Sequence, residues 1–205
     1  MEKVRLLLGT ANRGKVAELA EMLGGMAFEL VPLDAAGPFE DVEETGETFA
    51  ENARLKAAAY ARQSGLPTLA DDSGSEVEAL GWRPGVLSAR YGGDAAPTFP
   101  QKIALLLNEM AQSGSRSRVA RFKCTVALAD PDGSIFAETE GIVSGSVAEF
   151  PRGNGGFGYD PIFVPEGFSK TFAEMSSAEK GALSHRGRAI LQIIPYLRTF
   201  LGNLT

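Results

Sequence analysis

Only one cysteine and one histidine occur among the 205 residues. A single thiol, Cys124, has no partner for an internal disulfide, so no oxidising compartment is implied. Its neighbourhood, Phe122-Lys123-Cys124-Thr125-Val126, reads as a strand in which the thiol serves as a small buried apolar group. No apolar run approaches the roughly 18 residues of a membrane span. Met1 to Thr10 also lacks the charged start and hydrophobic block of a signal peptide. A cytoplasmic protein without a membrane partner is therefore expected. Excess positive charge is missing too: Lys plus Arg is 20 against 26 for Asp plus Glu, a net charge of -6. That balance argues against general binding to nucleic-acid polymers, but it leaves room for one small anion at a local basic site.

What is present is ordinary globular material, 44% hydrophobic and 22% charged, too apolar for a disordered chain. The length favours one domain over residues 1–205 with its own core. No repeat, low-complexity tract or linker interrupts it. Val4 to Leu8 reads as a buried strand, followed by a helix carrying Val16, Leu19, Ala20 and Leu23 at helical spacing and stopped by Gly24-Gly25. Phe28 to Val31 reads as a second strand and Asp34 to Glu47 as an acidic loop. Thr48-Phe49-Ala50-Glu51 matches a capping box and opens an alanine-rich helix ending near Gly65. Thr68 to Ala70 is a brief strand leading into Asp71-Asp72-Ser73-Gly74, and Gly81 to Pro100 reads as a long ordered loop. Thr98 to Gln101 opens a further helix. Val119–Ala129 and Ile135–Val147, separated by Asp130-Pro131-Asp132-Gly133, form the strongest hairpin signal. Ser176 to Glu179 is a third capping box, and a last helix covers about His185 to Phe200, kinked or interrupted at Pro195. Strands alternating with helices and then a hairpin predict an α/β fold with a mixed sheet.

Four segments carry possible chemistry. Gly9-Thr10-Ala11-Asn12-Arg13-Gly14-Lys15 joins the first strand to the first helix, where glycines, free N–H groups and a lysine suit an anion. The spacing fits G-x-x-x-x-G-K, but Val16 stands where a phosphate loop uses Ser or Thr to hold Mg²⁺. A tight turn with a surface lysine is the alternative. Acidic groups that could neutralise a polyphosphate with Mg²⁺ are Glu40, Asp41, Glu43, Glu44 and Glu47, otherwise a solvated face, and Asp71-Asp72 after a strand. Adjacent strand residues point opposite ways, so one aspartate should face a crevice while the other serves structure. Gly153-Asn154-Gly155-Gly156-Phe157-Gly158-Tyr159-Asp160-Pro161 is either a turn with aromatic core plugs or a slot in which a planar base stacks. Lys180 and Ser184-His185-Arg186 are either structural or donors to a ligand carbonyl or phosphate.

Taken in order, these segments resemble one family. The resemblance is carried by Thr10-Ala11-Asn12-Arg13-Gly14-Lys15, by Glu43-Glu44-Thr45-Gly46 with Glu51-Asn52-Ala53 and Lys56, and by Ala70-Asp71-Asp72-Ser73-Gly74. Pro84-Gly85 with Ser88-Ala89-Arg90-Tyr91, Gly155 to Pro161, Thr171-Phe172-Ala173-Glu174-Met175 and Ser184-His185-Arg186 complete it. Together they resemble the inosine triphosphate pyrophosphatase family, also called XTP/dITP diphosphatases, across nearly the whole chain.

The resemblance implies Mg²⁺-dependent hydrolysis of ITP, dITP and XTP to the monophosphate and pyrophosphate, which clears the nucleotide pool. It implies a homodimer, and an elongated two-lobed α/β domain in which helices flank a mixed central sheet and the active-site cleft lies between the lobes. By the same resemblance Thr10, Ala11, Asn12, Arg13, Gly14 and Lys15, with Lys56, hold the triphosphate. Glu44 and Asp72 form the metal site, Asp72 accepts the proton of the attacking water, and Ser73 touches substrate. Phe157, Gly158, Tyr159 and Asp160 form the base-binding strip, and Lys180, His185 and Arg186 close over the purine. A donor from His185 or Arg186 suits the 6-keto oxygen of hypoxanthine and rejects adenine, at about 1–3 kcal/mol per lost hydrogen bond. Ser75, Gly181 and Ala96 to Pro100 depart from the family pattern without removing a proposed catalytic side chain.

Overall fold

The computed structural model describes residues 3–203. Among them, seven strands form one sheet: β1 (Val4–Leu8), β2 (Phe28–Pro32), β3 (Thr68–Val77), β4 (Arg83–Pro84), β5 (Val119–Ala129), β6 (Ile135–Val147) and β7 (Phe163–Pro165). Hydrogen-bonded neighbours follow the order β2-β1-β3-β5-β6-β7, with β4 added on β3. β1 is parallel to β2 and β3, whereas β3–β4 and β6–β7 are antiparallel, so the sheet is mixed. The α-helices are α1 (Arg13–Leu23), α2 (Leu33–Ala36), α3 (Phe49–Ser64), α4 (Phe99–Gln112), α5 (Ser177–Leu183) and α6 (His185–Asn203). None of the described helices is long and apolar enough to cross a membrane.

The local signals act as elementary chemistry requires. Thr48 Oγ1 accepts from the Glu51 N–H at 3.1 Å and Glu51 Oε2 accepts from the Thr48 N–H at 3.0 Å, so two otherwise unsatisfied donors close the start of α3. Gly65 ends that helix at φ +67, a left-handed conformation that glycine adopts at no steric cost. The Asp130–Gly133 turn joins β5 to β6 with Gly133 at φ +87.

Two compact units divide the chain. The first comprises Met1–Asp72, Cys124–Gly141 and Arg186–Thr205. Its main core joins Leu6 and Leu8 of β1, Leu19 and Leu23 of α1, Val126 and Leu128 of β5, and Ile190, Ile193 and Leu197 of α6. Cys124 is buried in this cluster, in the apolar role expected of it. A separate patch of alanines, Ala53, Ala57 and Ala61 of α3 against Ala70, Ala127 and Ala129, lets helix and sheet approach closely. Gly9 serves the same end, since a Cβ there would sit 3.0 Å from the Ala70 Cβ.

The second unit comprises Ser73–Lys123 and Ile142–His185. It is built round Phe122, Phe163 and Phe172 with Val77, Ile103 and Leu106. The Phe122 and Phe163 rings stack with centroids 4.0 Å apart.

Four expectations need correcting. Asp71 and Asp72 do not follow a strand; they lie inside β3, which runs on to Val77. β1 pairs with β3 only at Thr68 and Leu69, so the two aspartates stand just past that parallel pairing. The acidic loop begins with the short helix α2. The Gly81–Pro100 segment is not wholly loop, because it contains β4 and two 3₁₀ turns, Gly85–Arg90 and Gly93–Ala95. Finally, of the two alternatives at Pro195, a kink or an interruption, the interruption is excluded, since α6 runs through it. That proline sits on an exposed stretch beside Leu191, where a carbonyl released from the helix ladder can meet solvent.

Candidate active site

The strand-to-helix turn is held by its own side chains. Asn12 caps α1, its Oδ1 accepting from the N–H groups of Gly14 at 2.9 Å and Lys15 at 3.2 Å. Thr10 Oγ1 accepts from the Asn12 N–H at 3.2 Å. With its carbonyl oxygen committed to the helix, Asn12 offers a ligand its amide nitrogen, a donor suited to phosphate oxygen. Ala11, Asn12 and Arg13 are exposed, and Gly14 is half-buried.

From this turn Lys15 reaches inward to Asp71, its Nζ 3.1 Å from Oδ2. Arg186, at the start of α6, donates to the same oxygen from Nη2 at 3.0 Å and Nε at 3.2 Å. Its Nη1 pairs with Glu18, one turn along α1 from Lys15. The Cys124 thiol lies 3.6 Å from Asp71 Oδ2. Asp71 is 0% and Arg186 1% exposed. Burial alone would raise the Asp71 pKa, but Lys15 and then Arg186 outweigh it and hold the carboxyl well below the usual range. The Cys124 thiol, by contrast, is pushed far up by burial and by the Asp71 charge, so it is no nucleophile.

Asp72 faces a second set of groups. Asn52 Nδ2 donates to its Oδ2 at 3.1 Å, and Lys56 Nζ lies 3.6 Å from its Oδ1. Lys56 also donates to Glu44 Oε1 at 2.5 Å. Burial raises the Asp72 pKa against the opposing pull of Lys56 and Lys15. Burial would lower that of Lys56, but Asp72, Asp71 and Glu44 reverse it, so the ammonium stays charged.

Asn52 received no site role from the sequence, though it organises the acidic loop. Fully buried, it accepts from the Gly46 N–H at 2.8 Å while donating to Asp72. A Cβ on Gly46 would lie 2.7 Å from Asn52 Oδ1, so the loop carrying Glu44 closes on α3 only with glycine there. The available signal was spacing: Asn52 and Lys56 are four apart on α3 and therefore share a face. Glu18 was missed likewise, three residues from Lys15.

The second unit holds the remaining candidates. Asp160 Oδ2 accepts from the Phe157 N–H at 2.8 Å and pairs with Lys180. Lys180 Nζ lies 4.6 Å from the Phe157 ring centroid and 5.8 Å from that of Phe172, within cation–π range. Tyr159 turns inward: its hydroxyl donates to the Ser88 carbonyl at 3.1 Å and its ring meets Phe99 edge-on. Its side chain is a core group. Gly158 precedes it at φ +65, and Ser73 is half-buried on β3. His185, largely buried, lies edge-on to Phe122 with centroids 5.1 Å apart.

Gly156 makes the Asp160 arrangement possible. At φ +65 it has no room for a side chain, since a Cβ would fall 2.0 Å from Asp160 Oδ2. Gly156→Ala is expected to cost roughly 1–3 kcal/mol and to detach Asp160 from Phe157 and Lys180. A urea midpoint unchanged from wild type would contradict this.

The structure thus brings Lys15 to Asp71 and joins Glu44 to Asp72 through Lys56 in the first unit, with Thr10 and Asn12 holding the turn that carries Lys15. Phe157, Asp160 and Lys180 gather in the second. Arg186 belongs to the first group through Asp71 and Glu18.

A sequence model described as the Ham1 family matches residues 6–196. A dITP/XTP pyrophosphatase of Streptomyces avermitilis is 46% identical over 97% of this chain and 99% of its own length. One of Thermus thermophilus is 50% identical over 93% of this chain and 90% of its own. Among solved structures, a HAM1 protein from Coxiella burnetii superposes with a TM-score of 0.86 at 39% identity, covering 96% of this chain and 99% of the other. The Staphylococcus aureus Ham1 protein gives 0.80 at 36%, covering 98% and 100%. Sequence and fold agree over almost every described residue, and the chain is a member of the Ham1 family.

Proposed function

We propose that this protein hydrolyses non-standard purine nucleoside triphosphates, ITP, dITP and XTP, to the monophosphate and pyrophosphate, and so clears them from the pool that supplies DNA and RNA synthesis. The observation that carries the reading is the convergence of Lys15, Lys56, Glu44 and Asp72 in the first unit, in a chain whose relatives are named dITP/XTP pyrophosphatases.

Those residues suit a metal–triphosphate. Glu44 and Asp72 supply the hard oxygen donors that Mg²⁺ takes from proteins, one or two carboxylates with phosphate and water completing the shell. Both already converge on one cation, the Lys56 ammonium. When bound, Mg²⁺ neutralises triphosphate oxygens and polarises the phosphorus. Asp72 accepts the proton of a water whose oxygen bonds to the α-phosphorus. As that bond forms, the bridging bond to the β-phosphate breaks and pyrophosphate departs. Lys15 and Lys56 offset the negative charge that grows on it. Phe157 and Lys180 are assigned to the purine, together with His185. The same proposal includes a homodimer and a cytoplasmic location, and sedimentation equilibrium tests the first.

Incubation with ITP and Mg²⁺ should yield IMP and pyrophosphate. IDP and phosphate would instead indicate β–γ cleavage of the phosphate-loop type, which Val16 disfavours by withholding the metal-binding hydroxyl. Binding without turnover would make the protein a nucleotide sensor.

A further inference from the structure

We infer that Lys56 is a stand-in cation: its ammonium occupies the gap between Glu44 and Asp72 and competes with the metal for that pair, until a triphosphate draws it away. The inference rests on the reading that Glu44 and Asp72 hold Mg²⁺.

Geometry sets up the competition. Lys56 Nζ is 2.5 Å from Glu44 Oε1 and 3.6 Å from Asp72 Oδ1, whereas Mg²⁺ needs oxygen at about 2.0–2.1 Å in a near-octahedral shell. An ammonium lodged against Glu44 and a dication bound to the same carboxylate repel each other, so each weakens the binding of the other. Two carboxylates brought this close repel unless a positive charge lies between them, so the site is built to hold a cation at all times. Lys56 is buried, rising from the face of α3 that packs its alanines on the sheet. Its charge therefore cannot simply withdraw into solvent and must find another anion. The triphosphate is such an anion. Displacement from the carboxylates delivers the lysine to phosphate oxygen and opens the pair to metal in the same event.

Metal and phosphate should then bind cooperatively, each raising the affinity for the other by one factor. Without nucleotide the lysine already offsets one of the two negative charges, so the pair holds metal weakly and the resting protein does not sequester divalent ions.

The test is metal binding with no nucleotide present, using Mn²⁺ as the probe and paramagnetic resonance of the free ion as the readout. Lys56→Met should bind Mn²⁺ at least about tenfold more tightly than wild type, and Lys56→Arg, which keeps the charge, should stay close to wild type. Equal or weaker binding by a folded Lys56→Met protein overturns the inference. Circular dichroism reports folding, and Lys56→Gln is read in the same way if the methionine variant does not fold. Adding Glu44→Gln to Lys56→Met separates the two possible failures. If this double variant still binds Mn²⁺ as Lys56→Met does, the metal-site reading is wrong. If it loses the metal but Lys56→Met showed no gain over wild type, only the competition is wrong.

Discussion

Asp72→Asn is expected to lower kcat by about 100- to 10,000-fold, the worth of a positioned general base, while the protein melts at or above the wild-type temperature. The two halves of this expectation have one cause. Asp72 is buried between Asn52 and Lys56, and its carboxyl is held above the usual carboxylate range chiefly by that burial. A raised carboxyl favours the fold in acid and loses that contribution as pH climbs through its folded pKa. At neutral pH the wild type therefore carries a carboxylate that the fold tolerates rather than prefers. A neutral amide of the same shape removes that burden along with the proton acceptor, an exchange of activity for stability. Kinetics at saturating Mg²⁺, paired with thermal melts, make the measurement. Turnover near wild type would move the base elsewhere, and a lower melting temperature would show that the fold needs the Asp72 charge.

The opposite behaviour is expected of the ion pair one residue away. Arg186→Ala should destabilise the protein by about 3–5 kcal/mol, the cost of breaking a buried ion pair from one side. For a chain of this size that corresponds to a melting temperature lower by roughly 6–20 °C. Asp71 Oδ1 has no hydrogen-bond partner among the described residues, so the carboxylate depends on the donors at Oδ2, two of which come from Arg186. Removing them leaves a fully buried anion with Lys15 as its main support, and leaves Glu18 facing the vacated guanidinium. The pH dependence follows from the depressed Asp71 carboxyl. Its contribution is fully present above about pH 4, where the unfolded aspartate ionises, and is lost as pH falls through its lower folded pKa. In Arg186→Ala that loss should begin at higher pH. A base-reading Arg186 gives a different pattern, with an unchanged melting temperature and poorer discrimination between ITP and ATP.

Elements specified by neighbouring residues were legible in the sequence. The β5–β6 hairpin lies where its alternation and its Asp-Pro-Asp-Gly turn place it, and α3 begins and ends at its Thr48 box and Gly65. Features decided by distant partners were not. β3 continues through Asp71-Asp72-Ser73-Gly74, a stretch whose composition suggests a turn, because neighbouring strands supply its ladder. Tyr159 read equally well as slot or core until its bonds to Ser88 and Phe99 settled the side chain in the core. Arg186 advertised donors but not their acceptor, which lies 115 residues earlier. Asn52 and Glu18 were within reach, since each stands about one helical turn from a lysine already singled out.

The first unit draws on both ends of the chain, and this governs how it is made. Leu6 and Leu8 of β1 share their cluster with Ile190, Ile193 and Leu197 of α6, and Glu18 meets Arg186 across 168 residues. On the ribosome β1 is translated well before α6, the helix that covers it. Contacts so remote in sequence slow folding and leave apolar surface uncovered while they form. Until α6 is made and docks, the nascent protein carries an open hydrophobic face and a lysine–aspartate pair lacking its arginine.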